Sequence, residues 1–191
     1  MKRLMTGLMG MTILLFSLGS GDALAASLPI KGGVLPALNL PVPKDTDERD
    51  YLGLSGAGSF RIPQIKARMV ILELFSMYCP ICQKDAPGVN ELYQMIQKDP
   101  GWRDKIKMIG IATGNSVYET EVFKKTYQVP FPLFPDPDFS AHKAYGEART
   151  PSFVVVKIDE KGAHEVILSQ QGGFPGAEPF LDMVLKESGL K

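Results

Sequence analysis

The strongest constraint on the fold is a junction. ARMVILELF (67–75) is an almost unbroken apolar run, interrupted inside by Glu73, and Cys79 and Cys82, the only cysteines of the 191 residues, follow it closely. A run of this kind suits a strand buried on both faces of a sheet. From Pro80 to about Gln97, Ala86, Val89, Leu92, Tyr93 and Ile96 recur at helical spacing, and DPGW (99–102) ends the pattern. The chain therefore passes from a central strand through a cysteine pair directly into a helix.

The rest supplies the partners of that unit. KMIGIAT (107–113) reads as a second buried strand and residues 115–129 as a helix capped by Asn115 or Ser116. FPLFPD (131–136) is a short strand and FSAHKAYG a short helix. TPSFVVVKIDEKGAHEVILSQ gives two strands joined at DEKG, and AEPFLDMVLKESG (177–189) a closing amphipathic helix. Strands alternate with helices before the hairpin, which makes the class α/β with a mixed central β-sheet flanked by helices. Upstream, residues 26–66 form an N-terminal extension: a proline-rich lead-in (Pro29, Pro36, Pro41, Pro43), a charged turn at DTDERD (45–50), and a glycine-rich hairpin or loop to Ile65. Residues 67–191 are the main domain.

Residues 1–25 have a different character. Lys2 and Arg3 precede a charge-free run from Leu4 to Gly21, and Ala23-Leu24-Ala25 fits a small-residue cleavage site before Ala26. A secretory signal peptide is expected, with an uncleaved membrane anchor as the alternative. Export would place the cysteines where disulfides persist. Lysine plus arginine balance aspartate plus glutamate at 21 each, so no nucleic-acid partner is expected.

Two cysteines at this spacing suit a metal site, a staple or a redox couple. Zinc needs about four nitrogen or sulfur ligands, and beyond the cysteines only His142 and His164 are on offer, without ligand spacing, so no metal is expected. A staple across so small a loop constrains the unfolded chain little. The redox reading has a mechanism. Cys79 falls at a helix N-terminus, where free N–H groups and the dipole favour a thiolate. Pro80 fits the first helical turn. Cys82, one turn inward, would resolve a mixed disulfide formed by Cys79. The only cofactor expected is the redox-active Cys79–Cys82 disulfide itself.

With these residues in place the chain resembles the thioredoxin superfamily. Glu73 stands six residues before Cys79, where that superfamily commonly has a buried acid; Pro87, five after Cys82, matches its kink proline; Thr150-Pro151 matches its cis-proline. The 68 residues between Cys82 and Pro151 leave room for an inserted strand–helix unit, and with the N-terminal extension they make the chain similar to the exported TlpA/ResA-like redoxins. The resemblance implies a thioredoxin-like fold and a thiol–disulfide oxidoreductase acting on protein thiols and disulfides, with a membrane-bound electron donor or acceptor. It also implies a bias toward reduction, in service of cytochrome c maturation. On this resemblance Glu73 is expected to accept the proton of Cys82. Thr150, Pro151 and Tyr78 are expected to dock substrate, and Pro80 and Pro87 to shape the active-site helix.

Two departures leave the direction of electron flow open: Tyr78 replaces the usual tryptophan, and Pro80-Ile81 lies between the sulfurs. ILELFSMYCPIC is also similar to the DsbA-type thiol oxidants. Two further alternatives stand. A peroxiredoxin-like peroxidase would carry P-x-x-x-T/S-x-x-C, for which Ser76 fits but Leu72 does not. A copper-handling chaperone would have three residues between its cysteines and a downstream histidine such as His142.

Overall fold

A computed structural model of the chain describes residues 28–189; the expected signal peptide and its cleavage site lie outside the described residues. Five strands form the central sheet: β3 (Met69–Phe75), β4 (Ile106–Thr113), β5 (Leu133–Asp136), β6 (Ser152–Ile158) and β7 (His164–Gln171), in the order β5-β4-β3-β6-β7. β3, β4 and β5 are parallel; β6 runs antiparallel to β3, and β7 to β6. Every residue of β3 and β4 is buried, as their continuous apolar runs require.

The two-residue alternation of a strand sorts β3 between two cores. Met69, Ile71 and Phe75 face α2 (Pro80–Lys98) and α5 (Ala177–Ser188), in a cluster with Cys82, Val89, Phe153 and Phe180. Val70, Leu72 and Leu74 face α4 (Ser140–Ala144) and the N-terminal extension, in a cluster with Leu40, Leu52, Phe60, Ile62 and Tyr145. Gly110 stands opposite Glu73 in the β3–β4 register, and a side chain there would meet Leu133 at 2.5 Å and Phe75 at 3.1 Å. Its absence leaves room for Leu133 of β5 and Phe75 of β3 to pack over β4, and α3 (Val117–Thr126) follows that strand.

The extension departs from expectation at one point. DTDERD, expected to be a charged turn, instead opens a helix, α1 (Thr46–Leu52): Asp45 caps it by accepting from the Glu48 N–H at 3.1 Å, and Gly53 ends it in the left-handed conformation at φ 65°. Tyr51 and Leu52 anchor it, the Tyr51 hydroxyl accepting the Met108 N–H at 2.7 Å where β4 outruns the shorter β5. Two short strands, β1 (Leu40–Pro41) and β2 (Ser59–Phe60), pair antiparallel around α1. Residues 29–33 run along the outer edge of β7, where Gly32 donates to the Val166 carbonyl and Val166 to Gly33. That covers part of an edge that would otherwise template pairing with another chain.

Candidate active site

β3 and α2 meet at residues 76–79, and this turn is clamped from both sides. Asn115, fully buried, accepts the Met77 N–H at 2.8 Å, and Gln83 donates to the Met77 carbonyl at 2.6 Å. Ser116, not Asn115, caps α3, in a reciprocal box with Glu119. Asn115 is thereby free to turn inward and hold the cysteine loop.

Cys79 is the N-cap of α2, Pro80 occupies its first turn, and the Cys82 N–H donates to the Cys79 sulfur at 3.3 Å. The Cys79 thiol in turn donates to the Thr150 carbonyl at 3.4 Å. Both cysteines are thiols; Cys79 is half-buried and Cys82 fully buried. Their acidities diverge. Burial pushes the Cys79 pKa up, but hydrogen bonds from the Cys82 thiol and N–H, the Thr150 side chain and the Ile81 N–H outweigh it, and the net shift is downward. At Cys82 burial dominates, and the Cys79 thiol, with the nearby charges of Cys79 and Glu73, adds to it, so that thiol is held well above the ordinary range. One sulfur is poised to ionise while the other keeps its proton.

Glu73 lies beneath this pair. The parity of β3 turns it toward α2, and it is 6% exposed. Burial, reinforced by the negative charge of Asp85, raises its carboxyl from 4.5 to about 8. Asp85 escaped sequence reasoning. It stands three residues after Cys82, hence on the same helix face, and its carboxylate accepts the Phe174 N–H at 2.7 Å, tying α2 to the loop after β7.

The Thr150–Pro151 peptide bond is cis, and Pro151 is buried while Thr150 is half-exposed. Tyr78 is 66% exposed, and its hydroxyl donates to Glu119 in the first turn of α3. That contact raises the phenol pKa and lowers that of the carboxyl. Between Tyr78 and Thr150 opens a cleft of about 540 Å³ that also includes Phe139, His142 and Arg149. The His142 ring is tied to the Ala148 carbonyl at 3.1 Å. His164 starts β7, at the opposite end of the β6–β7 ladder from the cysteines. Pro87 sits in an exposed position inside α2 and removes the helical bond to the Gln83 carbonyl. Leu72, at the position where a peroxidase motif has proline, is buried in the middle of β3.

A sequence profile of the AhpC/TSA family matches residues 35–165, about two thirds of the chain. The chain is similar to the thiol-disulfide oxidoreductase ResA of Geobacillus thermodenitrificans, 24% identical over 109 residues, or 57% of this chain and 59% of that protein. A second ResA, from Halalkalibacterium halodurans, is 24% identical over 132 residues, covering 68% of this chain and 70% of that one. The match thus spans less than two thirds of the first of these relatives. Among solved structures, StoA from Bacillus subtilis superposes with a TM-score of 0.54 at 21% identity, over 79% of this chain and 98% of StoA. A thioredoxin-family thiol:disulfide interchange protein from Chlorobium tepidum gives 0.57 at 17% identity, over 85% and 99%. At these identities the superpositions establish a thioredoxin-like fold.

Proposed function

The chain belongs to the AhpC/TSA family as a TlpA/ResA-like redoxin, and from that premise we propose that it is an exported thiol–disulfide oxidoreductase acting on protein substrates. The observation that carries the reading is the split between the two sulfurs: an ionisable, accessible Cys79 at the helix cap and a buried, protonated Cys82 one turn below it. In the reductive direction the Cys79 thiolate attacks one sulfur of a substrate disulfide. A mixed disulfide forms and one substrate thiolate leaves. Cys82 then passes its proton to Glu73, in those molecules whose Glu73 carboxyl is ionised, and attacks the Cys79 sulfur, releasing the second substrate thiolate. The substrate gains two electrons, and the enzyme is left with a Cys79–Cys82 disulfide. A carboxyl at about 8 can move a proton in either direction near neutral pH. A membrane-bound dithiol donor would return the electrons, and cytochrome c maturation is the service that the ResA-like resemblance implies.

The opposite direction has one observation in its favour. A hydrogen-bonded Cys79 thiolate stabilises the reduced form, which makes a couple more oxidising. Redox equilibration of the purified protein with glutathione or dithiothreitol separates the two: a potential near ~−270 mV supports a reductant and one near ~−120 mV overturns that direction. Trapping supports exchange itself. Cys82→Ser should accumulate a mixed disulfide with a protein substrate, and failure to trap one while Cys79 remains reactive would remove the exchange reading.

A further inference from the structure

On the face of the sheet turned toward α4, the strands end alike. The rows Leu72-Leu74, Ile109-Ile111, Phe134 and Val156-Val154 are apolar and buried there. The next residue of each row, at the end of the sheet where the cysteine turn begins, is polar: Ser76, Thr113, Asp136 and Ser152. Two of these are committed. Asp136 accepts the Ala141 and His142 N–H groups, each at 2.9 Å, and Ser152 donates to the Arg149 carbonyl at 2.5 Å. Ser76 and Thr113 instead line the cleft between Tyr78 and Thr150. Thr113 is 6% exposed, and its buried hydroxyl has no hydrogen-bond partner among the described residues. Phe139 walls the cleft beside Gly114, where a side chain would meet its ring at 2.5 Å. The rim carries two opposite charges, Glu147 and Arg149. Both are exposed, and neither forms an ion pair among the described residues.

We propose that this cleft receives the zwitterionic head group of a free amino-acid disulfide, so that cystine is a substrate beside protein disulfides. The proposal rests on the exchange reading of Cys79. The Thr113 hydroxyl on the floor and the Arg149 guanidinium on the rim suit an α-carboxylate, and Glu147 suits the α-ammonium on the same carbon. A carboxylate alone would be opposed by Glu147, and an ammonium alone by Arg149, so the pair favours a ligand of both signs. A buried hydroxyl without a partner is costly, and a ligand oxygen at Thr113 relieves that cost. Cys79 adjoins the cleft through its neighbour Tyr78 and through its thiol, which donates to the Thr150 carbonyl at 3.4 Å. The half of a disulfide bonded to Cys79 can therefore lay its head group there. The Cys79 thiolate attacks one cystine sulfur, and one cysteine leaves as its thiolate. Cys82 then attacks the Cys79 sulfur and frees the second. Two electrons pass from the protein to cystine, the two thiol protons end on the two cysteines, and the Cys79–Cys82 disulfide remains.

Three disulfides test this: cystine, cystamine, which lacks its carboxylates, and dithiodipropionate, which lacks its ammonium groups. Each is mixed with the reduced protein, and its rate is divided by that of the same disulfide with dithiothreitol, which cancels the acidity of the leaving thiol. Corrected in this way, cystine should outrun each of the others about tenfold, the scale of one charge-assisted hydrogen bond. Arg149→Gln should bring the cystine-to-cystamine ratio close to one while the cystine-to-dithiodipropionate ratio persists, and Glu147→Gln should do the reverse. Thr113→Val should also lower the cystine-to-cystamine ratio, with no change of charge. It should lose no stability in urea, because its hydroxyl holds no partner in the protein. Equal corrected rates for the three disulfides overturn the cleft while leaving exchange intact, as does an undiminished cystine-to-cystamine ratio in Arg149→Gln or Thr113→Val. No reaction of the wild-type protein with any of the three overturns the exchange reading, and the cleft falls with it.

Discussion

Replacing Glu73 by glutamine should stabilise the reduced protein, by an amount that grows with pH. Glu73 is 6% exposed, and its carboxyl is raised from 4.5 to about 8. Between these values the folded protein keeps a proton that the unfolded chain has released, so stability falls as pH rises. Each unit costs about 1.4 kcal/mol. The penalty is absent below pH ~4.5, reaches about 3 kcal/mol at pH 7, and levels at about 5 kcal/mol above pH 8. Glutamine has the same shape and does not titrate, so its own cost of burial is a constant offset. The assay is urea unfolding of wild type and Glu73→Gln, both kept reduced, at intervals from about pH 4 to pH 8. Glu73 itself helps to hold Cys82 above its ordinary range, so the comparison is read below about pH 8, where the thiols of folded and unfolded chain are still largely protonated. The difference between the two proteins should be flat, then climb at about 1.4 kcal/mol per unit, then begin to flatten near pH 8. Parallel curves across the whole range would refute a buried, protonated Glu73. Normal exchange rates in the variant would separately remove its role as proton acceptor for Cys82.

Asp85→Asn keeps an acceptor for the Phe174 N–H but removes the negative charge that helps to raise Glu73, so the upper bend of the same stability curve should move below pH 8. An unmoved bend would leave burial as the whole cause. Asn115→Ala strips the Met77 N–H of its partner in a buried place and should cost about 1–3 kcal/mol in urea unfolding. It should also alter the pH midpoint of Cys79 alkylation, because the clamped turn sets the cap geometry. A variant of wild-type stability and midpoint would show that Gln83 holds the turn unaided.

How much of this was legible in the sequence depended on how local the cause was. β3, β4 and β6 announce themselves because strand positions buried on both faces are mostly apolar, as the runs Met69–Leu72, Met108–Ala112 and Phe153–Val156 are. The helix after the cysteines is equally local, since Pro80 suits only its first turn and the apolar positions repeat over about four turns, from Cys82 to Ile96. α1 was hidden because it has seven residues and only Tyr51 and Leu52 as anchors, too few to show a period against Asp47, Glu48, Arg49 and Asp50. Its signal lay in the caps, Asp45 three residues before Glu48 and Gly53 after Leu52. Asn115 was ambiguous in a different way: next to a serine that caps as well, its side chain is committed by Met77, 38 residues earlier. Asp85 depends on what packs across from it, the loop that carries Phe174, which no spacing within the chain displays.

Two periods meeting at one point account for the asymmetry of the site. In β3 the period is two, so an acid at residue 73 faces α2, whereas one at 72 or 74 would face the extension with Leu40 and Phe60. In α2 the step from Cys79 to Cys82 is three residues, nearly one turn, which sets the second sulfur beneath the first and directs its N–H back to it. Cys79, as cap, lies outside the helix and borrows the free N–H groups of the first turn. Cys82, three residues in, is carried under the helix onto the face where Glu73 waits. One more residue between the cysteines would rotate the second sulfur by about 100° and separate it from that face. The depressed and elevated thiols are thus not two adjustments but one consequence of starting a helix at Cys79 over a strand whose odd-numbered residues point up.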